Sequence, residues 1–166
     1  MIEINETNFP DVNFRKYLLS QDYGKDGVLT DESIKEITKI DVSWRDISNL
    51  KGIEYFTSLK ELYCYENELK DLDVSKNTEL ICLNCGYNEI TTLDISKNIK
   101  LQKLECDGND LVTLDVSNNT ELIELSCGGT EITSLDVSNN IKLTKLSCDY
   151  SELKIQPQNA TMSAKV

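Results

Sequence analysis

The chain has 166 residues, no histidine and a formal net charge of -12, from 29 acidic and 17 basic side chains. This charge argues against nucleic acid or an anionic membrane as a partner, because phosphate binding needs clustered Lys and Arg. The absence of histidine removes the commonest general base and most zinc sites, and no apolar run approaches the roughly 20 residues that a membrane helix needs, so membrane insertion is not expected.

The first predicted element is a helix. The stretch FPDVNFRKYLLSQ indicates an amphipathic helix that begins near Pro10 and turns Phe14, Leu18 and Leu19 toward the core. Repeats follow from residue 37, and an array of repeats needs its open apolar end covered. We therefore expect residues 1–36 to form an α-helical N-terminal cap.

The segment DYGKDGVLTDES resembles the calcium loop of an EF-hand. Asp22 and Asp26 match that loop, but its third position is Gly24 and its twelfth is Ser33, with Glu32 one place early. Calcium takes six to eight oxygen ligands, so two missing positions favour a turn between two cap helices. Asp22, Asp26 and Glu32 remain a weak alternative as metal ligands.

The rest of the chain, residues 37–166, is an array of repeats. A first coil at 37–58 is followed by four coils that share the pattern LxxLxCxxNxLxxLDVSxN, at 59–79, 80–100, 101–121 and 122–142. One incomplete terminal coil, LTKLSCDYSELK, comes after them. This pattern is typical of a leucine-rich repeat, in which each coil has a short strand (LxC), a turn whose Asn satisfies backbone groups, and a return segment. The predicted inward slots of the first coil are Ile37, Ile40, Val42, Ile47, Leu50, Ile53 and Phe56.

Cysteine recurs at the same position of every later coil, as Cys64, Cys85, Cys106, Cys127 and Cys148. Alternate side chains of a strand point to opposite faces, so the Leu and Cys of LxC both face inward, where a free thiol behaves as a small hydrophobe. Cysteines that are in-register neighbours on parallel strands rarely have the side-chain dihedral angle that a disulfide needs. The ladder cysteines also lack the CxxC spacing that is typical of zinc ligands. The pattern predicts a ladder of buried free thiols, with Cys82 on the solvent side of its strand.

The fold predicted from these repeats is an α/β leucine-rich-repeat solenoid. We expect it to be right-handed, with a curved parallel β-sheet on the concave face, short strands or irregular return segments on the convex face, and the helical cap at one end. The cysteine ladder in coils ending LDVSxN, preceded by a cap and a longer coil without cysteine, resembles the cysteine-ladder subclass of the internalin-type bacterial leucine-rich repeat proteins, over roughly residues 9–155. That resemblance implies a module that is secreted or held at the bacterial cell surface and binds a partner on its concave sheet.

The last coil reads IQPQ where LDVS is expected. This departure indicates either a segment of a larger protein or a tail that folds over the end of the array as a cap. Self-association through the incomplete coil is a further possibility.

Large aromatic side chains gather at predicted outward slots of the first three coils. The aromatic residues are Trp44, Tyr63, Tyr65 and Tyr87, and the acidic residues that flank them are Asp41, Glu61 and Glu66. Exposed aromatics on a rigid concave surface are typical of binding hot spots, whereas cross-strand stacking that only stabilises the sheet is the alternative. We predict that these residues together form the ligand-binding site.

Three sets of charged residues repeat along the array. The LDVS aspartates Asp73, Asp94, Asp115 and Asp136 are expected to accept hydrogen bonds from turn amides. A second set repeats directly after the turn Asn or its substitute, and it either forms a solvated face or attracts cations or a basic partner. It comprises Glu68, Glu89, Asp110, Glu131 and Glu152. The set Glu79, Lys100, Glu121 and Lys142 alternates in sign, which predicts stabilising pairs.

The function predicted from the sequence is therefore a non-catalytic binding or adhesion module with no cofactor. Its partner is expected to be a protein or glycan that is basic or neutral, since the surface is acidic. The alternative is a calcium-dependent structural spacer or scaffold segment of a larger bacterial surface protein, in which the repeats merely set length. Catalysis is not expected, because the carboxylates and Cys82 lack a base and a defined pocket.

Overall fold

The structure is a computed structural model, and it describes residues 1–149 together with a strand at 154–156. The N-terminal part contains β1 (Ile2–Glu3), α1 (Val12–Ser20), β2 (Val28–Leu29) and α2 (Asp31–Glu36). The coils contribute β3 (Lys39–Asp41), a 3-10 helix (Ile53–Tyr55), β4 (Glu61–Tyr63), β5 (Cys82–Asn84), β6 (Lys103–Glu105), β7 (Glu124–Ser126), β8 (Ser134–Asp136), β9 (Lys145–Ser147) and β10 (Lys154–Gln156).

Six strands form the main sheet, in the order β3-β4-β5-β6-β7-β9, and every pair is parallel. The central residue of each strand pairs with the central residue of the next, from Ile40 and Leu62 to Leu125 and Leu146. The step along the chain is one position longer between the first two strands than between later ones, as the repeats predict. The predicted leucine-rich-repeat solenoid with a parallel sheet is confirmed.

The apolar residues of the coils form one continuous core. All the predicted inward residues of the first coil are buried, and so are the cysteines of the ladder. All six cysteines lie among the described residues, and none of them forms a disulfide. Burial in apolar surroundings raises the pKa of the Cys85 thiol to about 12, because desolvation disfavours the thiolate. The thiols of the ladder therefore pack in the hydrophobic core.

Asparagine at the turn of a coil ties that coil to the one before it. Asn109 Nδ2 donates to the carbonyls of Cys85 (3.0 Å) and Cys106 (3.1 Å), and its Oδ1 accepts from Ile90 N (3.0 Å). Asn88 makes the equivalent contacts one coil earlier. The predicted role of this Asn is confirmed, and it holds the strand ends in register.

The N-terminal segment contains two helices, and one predicted detail of the first is wrong. Helix α1 begins after Asp11, whose carboxylate caps it, and it buries Phe14, Tyr17 and Leu18. Leu19, predicted to face the core, is 41% exposed. At about 100° per residue, position 19 falls outside the stripe that positions 14, 17 and 18 define, so Tyr17 fills the inward slot.

The incomplete terminal coil continues further than the sequence pattern indicates. Strand β10 pairs in parallel with β8, Lys154 with Ser134 and Gln156 with Asp136. The return segment of this coil therefore forms a strand at 154–156 although it lacks the LDVS sequence. The predicted end cap falls on the tail at 157–166, outside the described residues, and self-association through the incomplete coil stays a prediction. No helix in the described part of the chain is both long and apolar enough to cross a membrane.

Candidate binding surface

The concave sheet presents two side chains per strand, on either side of an apolar central residue that is buried in every strand except β9, where Leu146 is partly buried. The first of these slots holds Lys39, Glu61, Cys82, Lys103, Glu124 and Lys145, and the second holds Asp41, Tyr63, Asn84, Glu105, Ser126 and Ser147. A strand buries every second residue, so the alternation within the LxC pattern fixes which side chains reach this face.

The lysines of the first slot are all ion-paired with glutamates of the same sheet. Lys39 Nζ lies 3.3 Å from Glu61 Oε2, and Lys145 Nζ lies 3.6 Å from Glu124 Oε2. Lys103 pairs with Glu105 at 2.9 Å and with Glu124 at 3.9 Å. These pairs are solvent-exposed and each stabilises the fold by about 1 kcal/mol at most. They leave the strand rows close to electrically neutral.

Tyr63 belongs to this paired group and not to the other aromatics. Its hydroxyl donates to Glu61 Oε2 at 3.1 Å, and Lys39 Nζ lies 4.7 Å from the centre of its ring. The pKa of Tyr63 lies well above its usual value, first through hydrogen bonding with Cys82 and then through desolvation. Cys82 is half-buried beside it, and burial raises the pKa of this thiol as well.

The other three predicted aromatics form a row, here called the aromatic ridge: Trp44, Tyr65 and Tyr87. The ring centres of Trp44 and Tyr65 are 5.3 Å apart with planes at 68°, and those of Tyr65 and Tyr87 are 5.3 Å apart at 74°. Both contacts are edge-to-face, which aromatic rings prefer. Trp44 is 68% exposed and Tyr87 52%, so much of the ridge surface is open to a ligand.

Trp44 and Tyr87 are predicted at outward strand positions, but they lie in the turns that follow the strands. Their backbones are left-handed, with φ of 59° at Trp44 and 51° at Tyr87, and Glu66 at the same slot has φ of 53°. Gly108 and Gly129 take this slot in the next two coils, at φ of 61° and 60°. A side chain in this conformation costs roughly 1 kcal/mol or more relative to glycine. The first three coils therefore hold large side chains where the fold favours glycine.

Beside the ridge lies a surface without side chains, the glycine shelf, formed by Gly108 and Gly129; Gly128 is buried, because the backbone of Asp149 lies against it. A methyl group on Gly108 would come within 2.9 Å of the Tyr87 ring, so this ring rests on the glycine. Asp107 borders the shelf, and its Oδ1 accepts hydrogen bonds from Ser126 Oγ (2.6 Å) and Gly128 N (2.9 Å). The sequence reasoning did not assign these residues to a site, although glycine at the slot of Trp44 and Tyr87 was a usable signal.

Comparison with known proteins places this geometry in a family. No family model matches the chain, and no curated protein matches it. Among solved structures, the functional domain of InlJ from Listeria monocytogenes, which includes a cysteine ladder, is 32% identical over 96% of this chain and 40% of that one, with a TM-score of 0.68. An internalin (InlF) from Listeria monocytogenes is 25% identical over 92% of this chain and 47% of that one, with a TM-score of 0.82. The chain is an internalin-type leucine-rich repeat protein of the cysteine-ladder subclass.

The internalin-type array matches only part of each of these proteins, since it spans less than half the length of either. A leucine-rich repeat protein from Leptospira interrogans, 19% identical over 74% of this chain and 40% of that one, shares the fold with a TM-score of 0.67. At that identity the likeness concerns the fold alone.

In the EF-hand-like loop of this internalin-type protein, two positions make other contacts and the acidic side chains are exposed. Ser33, at the twelfth position, forms a capping box at the start of α2, exchanging hydrogen bonds of 3.0 Å with Thr30. Asp22, Asp26 and Glu32 are exposed, and Asp22 lies 3.9 Å from Lys25. Across residues 1–149 and 154–156, no group of three or more His, Cys, Asp or Glu side chains could hold a metal ion.

Two of the predicted charge patterns have structural partners. The LDVS aspartates each accept from the amide of the serine two positions further on, at 2.8 to 2.9 Å. Glu79 pairs with Lys100 at 2.7 Å, and Glu121 with Lys142 at 2.6 Å. The remaining set, here called the glutamate stripe, comprises Glu68, Glu89, Asp110, Glu131 and Glu152. Glu89 pairs with Lys70 at 3.7 Å, and Glu152 lies outside the described residues.

Proposed function

We propose that this chain is a non-catalytic binding module that recognises a protein or a glycan outside a bacterial cell. The ligand contacts the aromatic ridge and the adjoining concave sheet. The observation that carries the proposal is the exposure of Trp44 and Tyr87 from left-handed turns. Glycine serves the same turns in the later coils, so the fold does not require aromatic side chains there.

A preformed aromatic surface suits recognition for two physical reasons. Each ring has few rotatable bonds, and the backbone that carries it is fixed by hydrogen bonds between coils, such as Trp44 N to Tyr65 O at 3.1 Å and Tyr87 N to Asp107 O at 2.7 Å. Little conformational entropy is therefore lost when a ligand binds. Tyr and Trp are also the residues that most often dominate binding energy at interfaces.

The alternative role of the ridge is to brace the sheet through its two edge-to-face contacts. Each such contact contributes about 0.5 to 1.5 kcal/mol, which is comparable with the cost of the left-handed backbone at Trp44 and Tyr87. Bracing alone therefore yields little net stabilisation of the fold. Ligand binding accounts better for exposed rings on a strained backbone.

Catalysis is not part of the proposal. Within residues 1–149, the strand glutamates Glu61, Glu105 and Glu124 are ion-paired, and the half-buried Cys82 has a raised pKa, which disfavours the nucleophilic thiolate. No observation favours the calcium-dependent spacer.

The experiment is a binding screen of the labelled chain against purified extracellular proteins and immobilised glycans. A variant with Trp44, Tyr65 and Tyr87 changed to Ala should lose any specific ligand. A control with the convex residues Lys76, Lys97 and Asn118 changed to Ala should keep it. Loss in the control instead would place the site on the convex face, and full binding by the ridge variant would assign the aromatics to bracing.

A further inference from the structure

We propose that the ligand of the aromatic ridge is a basic polypeptide segment. One of its arginine side chains lies on the glycine shelf, against the Tyr87 ring and paired with the Asp107 carboxylate. This inference rests on the proposed function and names the class of ligand for the same surface.

The distribution of charge on the concave side is the first support. Lys39, Lys103 and Lys145 are all matched by glutamates within the sheet. In contrast, Asp107 at the shelf and Glu66 beside the ridge form no ion pair with any of residues 1–149. The net charge of -12 adds a long-range field of the same sign. The ridge therefore attracts cationic groups and repels anionic ones.

Asp107 is prepared to receive a cation. Its Oδ1 is held by Ser126 Oγ and Gly128 N, at 2.6 and 2.9 Å, whereas its Oδ2 accepts no hydrogen bond from the described part of the chain. A carboxylate fixed by two donors needs no further ordering when a partner binds. The free oxygen gives a guanidinium a charge-assisted hydrogen bond, which is roughly twice as strong as a neutral one.

The Tyr87 ring and the open backbone at Gly129 lie next to Asp107 in the fold, the first against Gly108 and the second beside the Gly128 amide that Asp107 Oδ1 accepts from. The Tyr87 ring rests on Gly108, and a side chain at Gly129 would meet only the backbone of Gly108, at 3.6 Å or beyond. A guanidinium is flat and stacks on aromatic rings while its in-plane donors remain free, whereas an ammonium is a compact, strongly hydrated charge. The open backbone at Gly129, the Tyr87 ring and the fixed carboxylate together thus favour arginine over lysine.

A neutral glycan fits this arrangement less well. Sugar hydroxyls can donate to Asp107, but a neutral ligand covers the carboxylate without neutralising its charge, and desolvating an unpaired charge is costly. A cationic ligand compensates the charge as it excludes water. The unpaired carboxylate of Asp107, more than the aromatic rings, therefore favours a basic polypeptide over a neutral glycan.

The test uses the full chain and three probes: an acetylated and amidated Gly-Arg repeat peptide with three arginines, the same peptide with citrulline for arginine, and a neutral hexasaccharide of N-acetylglucosamine. Binding is followed by calorimetry and by the amide NMR signals of Gly108, Gly128 and Gly129. The arginine peptide should shift these signals and bind at least tenfold more tightly than the citrulline peptide. Its affinity should fall severalfold between about 50 and about 300 mM salt.

Asp107→Asn keeps the size and the Oδ1 acceptor but removes the charge, and it should weaken the arginine peptide at least fivefold. Glu131→Gln removes an exposed carboxylate from the glutamate stripe and should change the affinity less than twofold. Equal binding of the arginine and citrulline peptides, which needs no variant, overturns the inference. So does shelf binding by the neutral sugar alone, but sensitivity of that sugar to Tyr87→Ala would uphold the proposed function. No shift with any probe also overturns the inference, and the screen with the ridge variant then decides the proposed function separately.

Discussion

The carboxylate of Asp11 joins the cap helix to the first coil of the array. Its Oδ1 accepts from the amides of Asn13 and Phe14, both at 2.9 Å, and caps α1. Its Oδ2 accepts from Ser48, at 2.9 Å from the amide and 3.1 Å from the hydroxyl. One buried side chain thus satisfies donors on two parts of the molecule.

Asp11→Ala is expected to lower the free energy of unfolding by about 2 to 3 kcal/mol, since it removes a helix cap and leaves the Ser48 amide without its acceptor. Asp11→Asn keeps one acceptor oxygen for the cap but presents an amide NH₂ to Ser48, so it should cost roughly half as much. Urea unfolding followed by circular dichroism measures both. A loss below about 0.5 kcal/mol in Asp11→Ala would mean that the cap is not held through this residue.

Acid should weaken the same junction. Burial alone raises the pKa of Asp11, but hydrogen bonds from Phe14, Ser48 and Asn13 outweigh it, so the pKa is lowered overall. A carboxyl group whose folded pKa lies below its unfolded value stabilises the protein above the unfolded pKa, near 4, and loses that contribution as the pH falls through the folded pKa. Stability should therefore decline below about pH 5, and the decline should be shallower in Asp11→Asn. An identical slope in the two proteins would assign the acid sensitivity to other groups.

The LDVS aspartates provide the matched comparison for this pH dependence. Hydrogen bonds from Ser75 lower the pKa of Asp73, and bonds from Ser96 lower that of Asp94. Both are exposed, so solvent screening reduces their effect on stability. Asp94→Asn should change the acid profile much less than Asp11→Asn.

The cysteines should separate into two reactivity classes. A thiol reagent without denaturant should modify only Cys82, and slowly, because this thiol is half-buried and its pKa is raised. The ladder thiols should react only on unfolding. Mass spectrometry counts the labels, and Cys82→Ser should leave the folded protein unlabelled. Rapid labelling of three or more thiols would contradict the packed ladder.

At the left-handed turn of Trp44, a glycine variant should be more stable than an alanine variant, which is the reverse of the usual order of stability. Trp44→Gly and Trp44→Ala both remove the ring, but only alanine keeps the strain of φ at 59°. The glycine variant should therefore be the more stable of the two by roughly 1 kcal/mol. Tyr65 is the control, because it lies in the same ridge without a positive φ, and there the alanine variant should be the more stable. Thermal unfolding of the four variants tests this order.

The regular parts of the fold could be predicted from the sequence because burial alternates with a fixed period. Leu83 and Cys85 face inward for the same reason as Leu104 and Cys106, and one alignment of the coils places all four. The turn conformation at Trp44 could not be obtained this way, since an aromatic residue rarely has a positive φ. Tyr63 is not part of the ridge, because its hydroxyl donates a hydrogen bond to Glu61. The repeat pattern does not predict which neighbouring side chain a residue bonds to. The glycine shelf was visible only as missing side chains.

The coil at 122–142 lacks the turn asparagine of the earlier coils, and restoring it should stabilise the array. Thr130 stands where the earlier coils have asparagine, and it makes one such bond, from its hydroxyl to the Cys127 carbonyl at 2.8 Å. By analogy with Asn109, an asparagine at this position would donate to the carbonyls of Cys106 and Cys127 and accept from the amide of Leu111. Thr130→Asn should therefore raise the free energy of unfolding by about 1 to 2 kcal/mol, for two added buried hydrogen bonds.

The reverse change, Asn88→Thr, serves as the control for that repair. It replaces bonds from Nδ2 to the carbonyls of Cys64 and Cys85, each 3.0 Å, and the bond from the Leu69 amide to Oδ1. A threonine keeps at most one of these, and the Leu69 amide is left buried without an acceptor, which costs about 1 to 3 kcal/mol. Chemical unfolding of both variants should thus give shifts of opposite sign. Destabilisation by Thr130→Asn would indicate that this coil has repacked around threonine and has no room for the amide.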